Sequence, residues 1–195
     1  MLQNPIQLRL EKLQSWQHIT FMACLCERMY PNYAAFCQHT QFGSERVYRD
    51  ILDAVWETLT VKTAKVNYER QLEKLEELIP LAEEFDFYGV YPAIDACEAL
   101  SDLLHGMLDR DELLEAALKV SAVSVTTVAQ LEEAQGSDEI TNENQKENEA
   151  VCEEWDVQWA IYRPLKDCAE RDIDMIRDLK EEIRQGNVSN IGLSA

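Results

Sequence analysis

The chain has 195 residues, 46% of them hydrophobic, and its 37 acidic against 18 basic side chains give a formal charge of −19. That length suits one domain with a sizeable core, and charge of that sign repels phosphate backbones and anionic lipid, which excludes direct nucleic-acid and membrane-surface binding as expectations. No stretch comes near the roughly 18 unbroken apolar residues that cross a bilayer, and Met1-Leu2-Gln3-Asn4-Pro5 carries no basic region ahead of an apolar run, so a cytoplasmic protein is expected.

Only 6 glycines and 5 prolines punctuate the sequence, and apolar residues recur at intervals of three and four, the helical period. Pro5 suits a first helical turn, where its missing N–H has no partner to lose, and Ile6, Leu8, Leu10 and Leu13 follow. Ser15 reads as the N-cap of a second helix that runs through Trp16, Ile19, Phe21, Met22, Leu25 and Met29 to a break at Pro31-Asn32. A short helix with Tyr33, Phe36 and Cys37 is then closed by Gly43. Ser44 starts the next, whose stripe is Val47, Ile51, Leu52, Val55, Trp56 and Leu59, and Lys62 to Lys65 reads as a connection. Tyr68, Leu72, Leu75 and Leu78 share one side of a helix over 67–79 that Pro80 follows.

Residues 83–92, dense in aromatics with Gly89 and Pro92, predict an ordered loop packed onto the bundle, after which Pro92 opens a helix over 93–108. Asp109 and Glu112 have the spacing of a capping box. The helix behind them, to Leu131, is apolar nearly all round and is expected to be the central, most buried element. Its Ser121, Ser124, Thr126 and Thr127 are expected to bond carbonyls one turn earlier. Residues 136–148 read as a mobile acidic loop. A long helix over 149–185 follows, with the stripe Trp155, Trp159, Tyr162, Leu165, Ala169, Ile173, Ile176, Leu179 and Ile183, a kink at Pro164 and a tail over 187–195. The fold class that results is all-α: a single-domain bundle of about seven helices ending in a long C-terminal helix.

Chemistry is sparse. Cys24, Cys26, Cys37, Cys97, Cys152 and Cys168 lie in apolar helical patterns without a CxxC pair and read as reduced core thiols. Asp95, Glu98, Asp102 and His105 share one helical face, and Asp102-x-x-His105 has the spacing of half a helical-bundle metal site. Asp95, Asp102 and His105 are therefore the residues of an alternative reading, a small metal-dependent hydrolase. A solvated acidic face is the plainer account. Neither a Gly-x-Ser-x-Gly elbow nor a phosphate-cradling glycine loop is present, and no cofactor is expected.

Tyr30 and Tyr33 beside Pro31, and Tyr88 and Tyr91 beside Gly89, are the aromatic candidates for recognition, because loops of that composition sit where recognition happens. An acidic surface that includes Glu132, Glu133, Glu153, Glu154 and Asp156 is the other candidate. It suits a basic protein partner, steered by charge, on a non-enzymatic interaction module that could also form a homodimer.

Ser15 to Tyr33 (SWQHITFMACLCERMYPNY), Tyr88 to Cys97 (YGVYPAIDAC) and Ser189 to Gly192 (SNIG), with WETLTVK at 56–62 and EWD at 154–156, resemble the YjaG family. These are uncharacterised bacterial cytoplasmic proteins. The resemblance covers nearly the whole chain and implies a compact multi-helical fold. It assigns no activity, cofactor or catalytic residue.

Overall fold

The structure, a computed structural model, describes residues 2–186 and 188–194; Met1, Asn187 and Ala195, the last two within the expected tail, lie outside the described residues. Its helices are α1 (Gln7–Leu10), α2 (Ser15–Thr40), α3 (Glu45–Thr60), α4 (Tyr68–Glu76), α5 (Val90–Leu108), α6 (Leu113–Ala134), α7 (Glu149–Asp167) and α8 (Ile173–Gly186). Among the described residues there is no strand beyond an isolated bridge between Val188 and Ser194. The all-α, single-domain expectation holds, with eight α-helices among the described residues. Among the described residues no helix is long and apolar enough to cross a membrane.

The centre of the bundle is α2, not α6. Eighteen of the 26 residues of α2 are buried, against eleven of the 22 in α6. Helices α3, α5, α6, α7 and α8 all pack on α2, so it reaches solvent mainly at its ends. The small residues of α6 instead allow close approach: a Cβ on Gly106 of α5 would lie 2.9 Å from Ala116 Cβ on α6.

Several ends differ from the sequence expectation, each for a local reason. Gln14, not Ser15, precedes α2, and its N–H donates to Gln17 Oε1 at 2.6 Å. Pro31 does not break α2. The lost backbone bond costs about 3 kcal/mol, and buried Met29, Tyr33 and Phe36 on either side hold the helix together. It ends instead at Gln41, whose φ of 61° is left-handed. Ser44 does start α3, accepting from Val47 N–H, and Asn67, expected within its helix, caps α4 by accepting from Arg70 N–H. Asp109 caps a 3-10 turn over Arg110–Glu112 by accepting from Asp111 N–H, so α6 begins only at Leu113.

The single helix expected over 149–185 is two. Pro164 lies inside an unbroken α7, and the chain turns at 168–172. Side chains from the start of α2 bond the carbonyls freed there: Gln17 Nε2 donates to Leu165 O at 2.5 Å and Cys168 O at 3.0 Å, and Gln14 Nε2 to Ala169 O at 3.0 Å. Asp172 then caps α8 through the N–H groups of Asp174 and Met175. A helix end whose carbonyls find side-chain donors need not continue.

The aromatic segment does pack on the bundle. Phe85 stands edge-on to Phe36 at 5.0 Å and Phe87 stacks on it at 6.0 Å, while α5 opens three residues early, at Val90, with Pro92 in its first turn. Residues 136–148 are held by Ile140 N–H on Glu133, Asn144 on Thr141 and Glu139, and Gln3 N–H on Asn142 Oδ1. All six cysteines are free, four of them buried, and burial pushes the Cys24, Cys26 and Cys97 thiols up, which keeps them protonated and inert.

Candidate functional site

The acidic residues separate into an inner and an outer set. Asp138, Glu139, Glu143, Glu147, Glu149, Glu153 and Asp156 are exposed along the loop and α7, and none forms an ion pair with a described residue. Glu149, Glu153 and Asp156 stand at i, i+4 and i+7 on one face of α7. Lys146 is the only cation between residues 136 and 156. Glu132 and Glu133 are half-buried and hold the loop, accepting from Asn148 Nδ2 and Ile140 N–H.

Glu154 does not belong to that surface. Its side chain is 1% exposed, Arg28 Nε donates to Oε2 at 2.7 Å, and the Ser124 hydroxyl donates to Oε1. Gln158, one turn on, takes the Ser121 hydroxyl at 2.5 Å and donates to Ser121 O. Ser121 and Ser124 thus bond across to α7 and not back along their own helix. Thr127 behaves otherwise, dividing its hydroxyl between Val123 O and Asp95.

The tyrosine candidates part company. Tyr30 and Tyr33 lie within α2, not in a loop. Tyr33 is fully buried and donates to Leu78 O at 3.0 Å, whereas half-buried Tyr30 carries the Arg49 guanidinium 3.8 Å above its ring. Tyr88 is half-buried and Tyr91, 49% exposed at the start of α5, reaches solvent with its ring 5.8 Å from that of Tyr88.

The helical face of Asp95, Asp102 and His105 does not assemble. Among the described residues no three of His, Cys, Asp and Glu form a group that could hold a metal ion. Asp95 leans onto α6, where Thr127 donates to it at 2.8 Å, while exposed His105 sets Nδ1 2.9 Å from Ser101 O on its own helix. Asp95 and Glu98 line a groove of about 450 Å³ with Lys119 and Gln130. Burial raises the Asp95 carboxyl, against the Thr127 bond and with help from Glu98, to about 6.

An acid whose folded value exceeds its unfolded one near 3.9 stabilises fully only below that value, and the contribution is lost as pH rises through about 6. Asp95→Asn should therefore be more stable than the parent by about 1–3 kcal/mol at pH 7, with the difference vanishing below about pH 4. Urea unfolding across that range reads both ends; a pH-independent difference would show that Asp95 ionisation is not its cause.

A cluster that sequence reasoning missed surrounds Glu27 of α2. Its side chain is 1% exposed. Arg49 Nη1 of α3 donates to both carboxylate oxygens at 2.7 Å, Trp56 Nε1 donates at 2.7 Å, and Arg184 of α8 donates through Nε at 3.2 Å and Nη2 at 2.9 Å. Asp53 takes Arg184 at 2.5 Å and Lys180 at 3.3 Å. Burial works against the Asp53 charge, but the Arg184 hydrogen bond and the nearby cations outweigh it and hold the carboxyl below its usual range. A notch of about 270 Å³ opens beside the pair of guanidiniums, walled by Tyr30, Pro31, Ile183 and Val188. Glu27 and Arg28 are adjacent charges between the apolar stretch Phe21–Cys26 and Met29, and that interruption was the one local signal.

An all-α bundle with buried ion pairs and an outward acidic face is the class that fold and site define. The chain belongs to the DUF416 family, proteins of unknown function, whose pattern matches residues 5–194. It is 62% identical over 193 residues to the uncharacterized protein YjaG of Escherichia coli K12, covering 99% of this chain and 98% of that one. It is 49% identical over 193 residues to an uncharacterized protein of Haemophilus influenzae, with 98% of each chain covered. The crystal structure of a DUF416 family protein from Shewanella baltica matches with a TM-score of 0.91 at 30% identity, over 99% of this chain and all of the other.

Proposed function

We propose that this chain is a non-enzymatic, cytoplasmic interaction module whose acidic face docks a basic protein. The observation that carries the reading is the row of seven exposed acids between 138 and 156 without an ion partner among the described residues. Arg28 at this end of the bundle is turned inward to Glu154 and does not neutralise them. A field left open in this way steers an oppositely charged protein and repels a second copy of the same face. A homodimer would have to use other residues.

The test is capture from lysate of the native organism at low salt, compared with the Glu149→Lys, Glu153→Lys, Asp156→Lys triple variant. One basic protein should be retained near stoichiometry by the parent alone, and its affinity should fall at least about tenfold towards physiological ionic strength. Retention that ignores salt, or that survives in the triple variant, would sink the reading.

A further inference from the structure

The Glu27 notch holds more positive charge than its carboxylates need. Arg49, Arg184 and Lys180 face Glu27 and Asp53, three cations to two anions, a local excess of +1 in a chain of −19. The guanidinium donors are also only partly used. Arg49 gives Nη1 to Glu27, and Arg184 gives Nε and Nη2 to Glu27 and Asp53. Arg49 Nε and Nη2 and Arg184 Nη1 make no hydrogen bond to a described residue, and both side chains reach solvent, 22% and 38% exposed, at the wall of the cavity. Arg49 cannot swing freely, because its guanidinium is stacked on Tyr30 and anchored at both Glu27 oxygens. Two pre-oriented forks with spare N–H groups are the chemistry that recognises carboxylate and phosphate.

We propose that this notch binds a small organic oxyanion, its carboxylate or phosphate group between Arg49 and Arg184 and its apolar body against Ile183 and Val188. The cavity of about 270 Å³ sets the size at a small molecule. Glu27 acts as a built-in counter-anion that orients the forks and keeps the empty site neutral enough to fold. The site joins α2, α3 and α8, so an occupant also tightens the packing of α8.

The full-length protein is titrated with inorganic phosphate and, separately, with acetate, each against sodium chloride at equal ionic strength. The readout is the Trp56 indole N–H resonance, assigned through Trp56→Phe, because that N–H donates to Glu27 at the floor of the notch. A saturable shift is expected with at least one probe, along with a rise of about 3–6 °C in Tm at ten times the dissociation constant. The tighter probe identifies the head group. Arg184→Gln should weaken binding at least tenfold. Arg184→Lys, which keeps the charge beside Glu27 and Asp53 but loses the fork, serves where that variant does not fold, and should also bind more weakly. No shift beyond chloride with either probe, or undiminished binding in the Arg184 variants, would overturn the proposal.

Discussion

Glu27→Ala is expected to destabilise the protein by about 3–5 kcal/mol, because removing one partner of a buried ion cluster leaves the other charges without compensation. Arg49, Arg184 and the Trp56 indole all converge on this carboxylate; Arg49 and Trp56 lose their acceptor at once, and Arg184 is left with Asp53 alone. For a chain of this size the loss corresponds to a fall in Tm of about 6–20 °C. Arg184→Ala should cost clearly less, since Glu27 keeps Arg49 and Trp56 and the vacated side is already open to water. Thermal denaturation of the two variants followed by far-ultraviolet circular dichroism tests the ranking. Equal losses would mean that the cost lies in detaching α8 and not in the buried carboxylate.

Phe36→Ala should cost about 3–5 kcal/mol, the range for emptying a buried aromatic position. Phe36 is 2% exposed and its ring meets Phe85, Phe87 and Phe42 at 5.0, 6.0 and 6.0 Å. Those contacts hold residues 81–89, which carry little regular structure of their own beyond the 3-10 turn Ala82–Glu84. Hydrogen exchange should accordingly rise more in the amides of 82–91 than in α6. A uniform rise along the chain would show that the segment is fastened by something other than this ring.

Much of the fold was written in local periodicity. The stripe of α3, its Ser44 start and the packing of Phe85 and Phe87 all follow from spacing and side-chain chemistry within a few residues. What escaped was decided at a distance. Whether Pro31 ends a helix depends on how much burial the flanking turns gain, and the turn at 168–172 depends on Gln14 and Gln17, about 150 residues away. Glu154 could have been recognised as inward, because Val151, Glu154, Trp155, Gln158, Ile161 and Tyr162 form one stripe at helical spacing. Reading only the apolar members of that stripe hid it. The partners of Glu27 come from α3 and α8, and no window of sequence contains them.

The central position of α2 also sets the timing of assembly. Glu27 meets Arg184 across 157 residues of chain, Asn32 meets Asn190 across 158, and Gln17 meets Leu165 across 148. At a synthesis rate of about 5–20 residues per second, α2 therefore leaves the ribosome roughly 8–30 s before its last partners do. Over that interval a helix with eighteen residues to bury lacks the cover of α8, and its apolar positions stay open to whatever shields hydrophobic surface during translation.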